Sequence, residues 1–171
     1  MNLSGNLHSV VLSSLCVAGV VCSLTLSVRA QDTIGNVFER QYRERIEQES
    51  LYGVYIPKDL GDVFSQLEQL TSREARNSYR NAKEREAVRK LHFSLGRWMI
   101  YNWGFYEGSR LTRYLNRYGV SHPDDMARFL MTCWHRYLNK KELDIPTLVE
   151  ELRQIRSLLN PGGGWKRDTI R

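Results

Sequence analysis

The sequence predicts an all-α fold, a compact single domain of about five or six helices that follows an N-terminal signal segment. The first observation is that apolar residues recur every three or four positions through most of the chain after residue 30, which is the period of an amphipathic helix. The second is that no segment shows the sustained alternation of apolar and polar residues typical of a half-buried strand. Glycine and proline mark the ends of the periodic stretches, so each stretch is predicted to be a separate helix.

The first thirty residues are predicted to be a signal peptide. Residues 10–28 are apolar or small and carry no charge, and Val28-Arg29-Ala30 resembles a cleavage site. The run is close to the length that spans a bilayer, so an uncleaved N-terminal membrane anchor is the alternative. Its many small and hydroxylated residues favour cleavage. We expect an exported protein, periplasmic or extracellular, that contacts a membrane only through this segment if the segment stays uncleaved.

Cleavage after Ala30 would leave 141 residues and, because Arg29 is removed, a net charge near +5 instead of +6. Cys133 would be the one remaining thiol, which excludes an internal disulfide and Cys-x-x-Cys metal sites. No metal and no cofactor are expected. The modest positive charge is compatible with weak attraction to anionic surfaces, although solubility is the simpler explanation, and nothing indicates a specific nucleic acid.

The N-terminal half is predicted to contain two amphipathic helices and one charged stretch. A charged helix is assigned to residues 31–52, and its apolar positions are Ile34, Val37, Phe38, Tyr42 and Ile46. Gly53 to Pro57 end this helix. A second helix follows Asp59, with apolar positions Leu60, Val63, Phe64, Leu67 and Leu70. Thr71 and Ser72 are typical of an N-cap region before residues 73–86, which form either an exposed helix or a loop.

Two further helices are predicted on either side of a glycine-bracketed turn. The first has the apolar stripe Val88, Leu91, His92, Leu95, Trp98 and Met99. Gly104 and Gly108 bracket the turn. The second has the stripe Leu111, Tyr114, Leu115 and Tyr118, and Gly119 ends it.

Prolines open the last two predicted helices. Pro123 is followed by Asp124 and Asp125, which the helix dipole favours in a first turn. The apolar positions of this helix are Met126, Phe129, Leu130, Cys133, Trp134 and Tyr137. Pro146 opens a helix with apolar positions Leu148, Val149, Leu152, Ile155 and Leu159. The helical domain is therefore assigned to residues 55–159, and a flexible basic tail to residues 160–171.

Three ordered motifs resemble a bacterial family of small helical domains of unknown function. They are Tyr55-Ile56-Pro57-Lys58-Asp59-Leu60, the block from His92 to Leu111 (His-Phe-x-Leu-Gly-x-Trp and Asn-Trp-Gly-x3-Gly-Ser-Arg-Leu), and His122-Pro123-Asp124-Asp125-Met126. The similarity runs from about residue 55 to residue 154. The family commonly has a basic residue where this chain has Ile100, which weakens any role that needs a cation there. The resemblance implies a compact helical domain and brings no activity with it.

The glycine-bracketed turn holds the binding candidates Asn102, Trp103, Ser109 and Arg110. Trp103 is a candidate lid or stacking platform for a sugar or a base, and a core plug over the turn is the alternative. Arg110, if buried, is a candidate ligand for a carboxylate or phosphate group. The simpler interpretation of Arg110 is a surface ion pair with Glu107.

Acid–base catalysis would require His92 together with a carboxylate, for which Glu107, Asp124 and Asp125 are the candidates. The alternatives are structural, since His92 lies on an apolar stripe and the aspartates are common helix-start residues. Leu95 and Gly96 follow His92 at the positions where a second helical metal ligand would lie, so no helical metal pair is present.

The predicted function is a non-catalytic binding or interaction module of the bacterial envelope, whose partner is an unknown protein or an envelope ligand. One alternative is a hydrolase that acts on envelope material. The other is a peripheral binder of anionic surfaces, because Arg110, Arg113 and Arg117 share the polar side of one predicted helix.

Overall fold

The computed structural model describes residues 35–159, and the chain divides into two compact units after Arg43. In the first unit residues 35–43 are helical, as the sequence predicted, and the side chains of Val37 and Phe38 are exposed. The predicted signal peptide and basic tail lie outside the described residues. Between residues 35 and 159, no helix is long and apolar enough to span a membrane.

The second unit contains a short hairpin where the sequence predicted the end of a helix and a break. Strands β1 (Ser50–Leu51) and β2 (Val54–Tyr55) pair in antiparallel register, with Ser50 opposite Tyr55. The turn residues Tyr52 and Gly53 both have positive φ, a conformation that matches the twist of a tight hairpin. Strands of two residues are too short to produce an alternating pattern, so the sequence did not reveal them.

Seven α-helices follow between residues 60 and 159. They are α1 (Leu60–Leu70), α2 (Arg73–Asn81), α3 (Glu84–Leu91), α4 (Arg97–Asn102), α5 (Arg110–Asn116), α6 (Pro123–Leu138) and α7 (Ile145–Leu159). A π-helical turn, His92–Gly96, joins α3 to α4. The predominantly helical fold is confirmed. The count exceeds five or six because the charged stretch after Ser72 forms α2 and the π-helical turn separates α3 from α4.

Helix α6 is the centre of the core. Eleven of its sixteen residues are buried, and it contacts α1, α2, α3, α4, α7 and the π-helical turn. Phe129, Leu130 and Met131 are completely buried, and Trp134 is 1% exposed. A helix that is buried around most of its circumference lies inside a fold. The other helices therefore pack around α6 and are positioned by it.

Side-chain caps fix where several helices begin. Asp59, Ser72 and Ser109 each accept a hydrogen bond from the backbone N–H three residues later, at the starts of α1, α2 and α5. His122 caps α6 by accepting a hydrogen bond from the backbone N–H of Asp124. Capping satisfies donors that have no partner inside the helix. These caps position the first turns of α5 and α6, which contribute to the two surfaces described below.

Candidate functional site

His92 and Asp124 meet where the π-helical turn packs against the first turn of α6. Nε2 of His92 lies 3.2 Å from Oδ1 of Asp124. The His92 side chain is 13% exposed and the Asp124 side chain is 41% exposed. Asp124 is in place because Pro123 is the first residue of α6. Of the predicted acid–base residues, these two are brought together.

The two ring nitrogens of His92 have different surroundings. Nδ1 is buried and has no hydrogen-bond partner among the described residues. The ring lies against Gly96, where a Cβ atom would be 3.2 Å from Nδ1 and 3.2 Å from Cε of Met131. A neutral ring with its proton on Nε2 donates to Asp124, and its basic lone pair then faces the protein interior. Nδ1 is therefore closed to a substrate, and Nε2 is engaged by Asp124.

The other two acid–base candidates are engaged elsewhere. Asp125 is 7% exposed, and its two oxygens accept hydrogen bonds from Arg156 at 2.8 and 2.9 Å. The carboxylate of Glu107 accepts a hydrogen bond from the Tyr52 hydroxyl at 3.1 Å. The four predicted residues therefore do not form one cluster. Within residues 35–159, no group of three or more His, Cys, Asp or Glu residues is arranged to hold a metal ion.

Three of the four predicted binding residues stabilise the turn between α4 and α5. Trp103 is 1% exposed and packs edge-on against Trp98, with ring centroids 5.7 Å apart. Nδ2 of Asn102 donates to the carbonyl oxygen of Trp98 at 2.9 Å. Ser109 is completely buried and caps α5. Trp103 is thus a core side chain that offers no exposed face for a sugar or a base.

Arg110 is the fourth binding candidate, and the surface ion pair with Glu107 is not how the structure uses it. Its Nε donates to the carbonyl oxygen of Ile56 at 2.7 Å, and its guanidinium carbon lies 5.0 Å from the centroid of the Tyr55 ring. Its acidic neighbour is Glu49, with Nη1 and Oε1 3.3 Å apart. Only 12% of the Arg110 side chain is exposed. Arg110 therefore joins α5 to the hairpin segment.

Three aromatic side chains are exposed beside the His92–Asp124 pair. Phe93, Tyr101 and Tyr106 are 75%, 63% and 66% exposed. They line a shallow depression of about 230 Å³ whose wall also includes Arg97, His92 and Asp124. The aromatic surface is defined as Phe93, Arg97, Tyr101 and Tyr106.

A larger groove adjoins the aromatic surface, between α3, α6 and α7, with a volume of about 450 Å³. Its apolar lining consists of Val88, Leu148, Leu152 and Ile155. Its charged rim consists of Glu84, Arg85, Arg89, Arg128 and Glu151. His92 and Phe93 line both this α3–α7 groove and the shallow depression, so the two recesses share a boundary.

The aromatic surface was not predicted from the sequence. Phe93, Arg97 and Tyr101 recur every four residues and are all exposed in the structure. Residues four apart lie on the same face of a helix. Aromatic residues that repeat at this interval outside the apolar stripe are therefore the signal that predicts an exposed aromatic row.

Residues 56–138 match a family model described as a domain of unknown function, DUF6794. The match begins after the hairpin and ends with α6, so it contains the aromatic surface and the His92–Asp124 pair but not α7. The expected resemblance to an uncharacterised domain family is confirmed at this level, although the matched region ends before residue 154. No curated protein and no solved structure matches the chain. The description of the DUF6794 region assigns no activity.

Proposed function

We propose that this protein is an exported, non-catalytic interaction module of the bacterial envelope whose aromatic surface binds a segment of a partner polypeptide. The observation that carries the proposal is the exposure of Phe93, Tyr101 and Tyr106 on one face. Moving the apolar surface of exposed aromatic rings out of water is favourable, and contiguous apolar patches on a surface mark interaction sites.

The composition of this surface favours a polypeptide as the partner. Tyrosine, phenylalanine and arginine are enriched in protein interfaces, where tyrosine and arginine often supply most of the binding energy. Nη2 of Arg97 lies 3.5 Å from the Tyr101 hydroxyl, so the cation and the ring stand side by side. The α3–α7 groove adds an apolar floor with a rim of both charge signs. A segment with apolar anchors and flanking charges fits this combination.

The non-catalytic part of the proposal is supported by the His92 ring. A general base has to reach the substrate proton with one ring nitrogen. Nε2 is paired with Asp124, and Nδ1 is buried against Gly96. A hydrolase would need one of these nitrogens to be released. We infer that the pair instead anchors the π-helical turn and so positions Phe93.

Export is proposed from the uncharged run at residues 10–28 and the cleavage site at Val28-Arg29-Ala30. N-terminal sequencing of the protein recovered from the periplasm or the medium should give Gln31 as the first residue. Protein that keeps Met1 and is found only in the cytoplasm would contradict export. A chain that keeps Met1 in the membrane fraction would support the anchored alternative.

The binding role is tested with a photo-crosslinking amino acid placed at position 93 or 101 of the full chain in its own host. Tyr52, which is 86% exposed in the hairpin, is the matched control position. Both test positions should form an adduct with the same polypeptide, and position 52 should not. Adducts that are identical at all three positions would indicate non-specific capture and contradict the proposal.

The captured polypeptide is then purified, and its affinity is measured by calorimetry against matched variants. Tyr101→Ala and Tyr106→Ala should each weaken binding about tenfold or more, which is the loss expected for an interface hot spot. Tyr52→Ala should leave the affinity unchanged. Unaltered affinity in both test variants would refute the role of the aromatic surface.

A further inference from the structure

A second recess lies away from the aromatic surface, between the hairpin segment and α5, and its chemistry is different. It has a volume of about 250 Å³. Four positive side chains line it, and they are Lys58, Arg110, Arg113 and Arg117. Glu47 is the one acidic residue in its lining. We propose that this basic pocket binds a phosphate-type oxyanion, a role independent of the polypeptide partner proposed above.

Arg110 is the preorganised wall of the basic pocket. Its hydrogen bond to the carbonyl oxygen of Ile56 and its contact with the Tyr55 ring hold the guanidinium in place. Nη2 of Arg110 is buried and has no hydrogen-bond partner among the described residues. A guanidinium has five N–H donors, and buried donors are normally paired. Nη2 of Arg110 is therefore a hydrogen-bond donor without an acceptor in the described part of the chain, on a residue that lines the basic pocket.

Glu47 occupies the pocket as an internal competitor for the cations. Its carboxylate is paired with Nη1 of Arg113, while its side chain is 68% exposed. An ion pair that is largely in water is screened and weakly held. An anion that contacts several of the cations at once can displace Glu47 from Arg113. Loss of the Glu47 charge should consequently strengthen binding.

The number of cations indicates the class of ligand. A phosphate group presents three acceptor oxygens and up to two negative charges, and arginine binds it with two parallel hydrogen bonds. A single carboxylate has two oxygens and one charge, so it would leave most of the donors unpaired. A soluble phosphate and a lipid headgroup share the phosphoryl group, but the phosphodiester of the lipid has two charged oxygens and one negative charge, so each headgroup would engage fewer of the four cations.

The test measures binding of inorganic phosphate to the purified full chain by NMR titration, and binding to vesicles by sedimentation. The vesicles contain phosphatidylcholine alone or mixed with phosphatidylglycerol. The variants are Arg113→Gln, Arg117→Gln and Glu47→Gln. Arg110 is left unchanged, because replacing it would also remove its hydrogen bond to the carbonyl oxygen of Ile56. Arg153→Gln, at an exposed residue paired with Glu150 on α7, is the charge-matched control.

Arg113→Gln and Arg117→Gln should each weaken binding by about tenfold, the loss expected for one charge-assisted hydrogen bond. Glu47→Gln should strengthen binding by roughly threefold or more, since the competing carboxylate is removed. Arg153→Gln should have no effect. This pattern with inorganic phosphate identifies a soluble ligand, and the same pattern only with phosphatidylglycerol vesicles identifies a headgroup. Absence of binding to both, or binding that Arg153→Gln weakens as much as Arg113→Gln, would overturn the proposal.

Discussion

Replacing Gly104 with alanine tests how tightly the turn between α4 and α5 is packed. Gly104 has a φ of +64°, and a Cβ atom there would lie 3.0 Å from Cδ1 of Leu51, a buried side chain of β1. Gly53 is the matched position, because its φ is +80° and no neighbouring atom lies within 4 Å of its Cβ site. The two substitutions share a backbone cost and differ in steric crowding.

The expected losses of stability follow from these two contributions. Alanine in the left-handed backbone conformation costs about 1–2 kcal/mol more than glycine. Alanine also reduces the conformational entropy of the unfolded chain, which offsets roughly 0.5 kcal/mol of this cost. Gly53→Ala should therefore lower the free energy of unfolding by about 1 kcal/mol. Gly104→Ala carries an additional overpacking cost of about 1–3 kcal/mol against Leu51. Its total loss should be about 2–4 kcal/mol.

Urea unfolding followed by tryptophan fluorescence measures both losses, since Trp103 is buried next to the turn. A double-mutant cycle with Leu51→Ala identifies the source of the extra cost. The loss caused by Gly104→Ala should be smaller in the Leu51→Ala background, because the crowded methyl group is gone. Equal losses at Gly53 and Gly104, or a Gly104 loss that Leu51→Ala leaves unchanged, would refute the proposed contact.

Three further predictions concern α6 and its neighbours. Arg156→Met should lower the free energy of unfolding by about 2–4 kcal/mol, because the buried Asp125 carboxylate loses its partner. Adding Asp125→Asn should restore part of the lost stability, and urea titrations measure both variants. Burial, and then the Arg156 cation, lower the pKa of His122 below its ordinary 6.5. As the pH falls, the unfolded chain therefore binds the His122 proton before the folded chain does, so the free energy of unfolding should decrease as the pH drops through 6.5. The decrease should be smaller in His122→Asn, which removes the titrating ring and keeps a capping side chain. A stability–pH curve unchanged by His122→Asn would contradict this cause. Burial raises the pKa of the Cys133 thiol to about 12, so the thiol should be alkylated only as fast as the chain unfolds. Peptide mapping measures this rate, and rapid labelling of the native protein would show that the core is open.

Helices with one continuous period and a clear start signal could be predicted from the sequence. Asp59 caps α1, and the buried positions of α1 include Leu60, Val63 and Leu67, as the spacing indicated. Pro123 is the first residue of α6, again as predicted. These features depend on residues that are close in sequence, so local physical chemistry determines them.

The prediction was least accurate where the period changes. The stripe through Leu95 and Trp98 was predicted to lie in the core, and both side chains are only half-buried. Met99 is buried as predicted, but Gly96 and Ile100 are buried beside it, because the π-helical turn holds one extra residue and shifts the buried face by one position. A constant period of 3.6 residues does not include this shift, so the pattern assigned the wrong face after His92.

The composition of the candidate sites depended on contacts between distant segments. The sequence named Asp124 as one of three carboxylates that could pair with His92, but 32 residues separate these two and only the packing of the π-helical turn on α6 selects Asp124. The three arginines of the basic pocket were predicted to share one polar face. Lys58 and Glu47 come from other segments, so the pocket they complete was not predictable from helical spacing alone.

The π-helical turn also has a consequence for how the aromatic surface can change between related proteins. Deleting one residue from His92–Gly96 would convert the turn to ordinary α-helix, and α3 and α4 would keep the faces that they pack against α6, because the wider π turn accommodates the extra residue. A deletion between Phe93 and Arg97 would move Phe93 from four residues before Arg97 to three and so turn its ring relative to Tyr101, while the core around α6 would keep its residues. A single-codon insertion or deletion is therefore enough to reposition one ring of the aromatic surface, while Tyr101 and Tyr106 stay exposed. We expect relatives one residue shorter at this point to share the fold and to differ in what they bind.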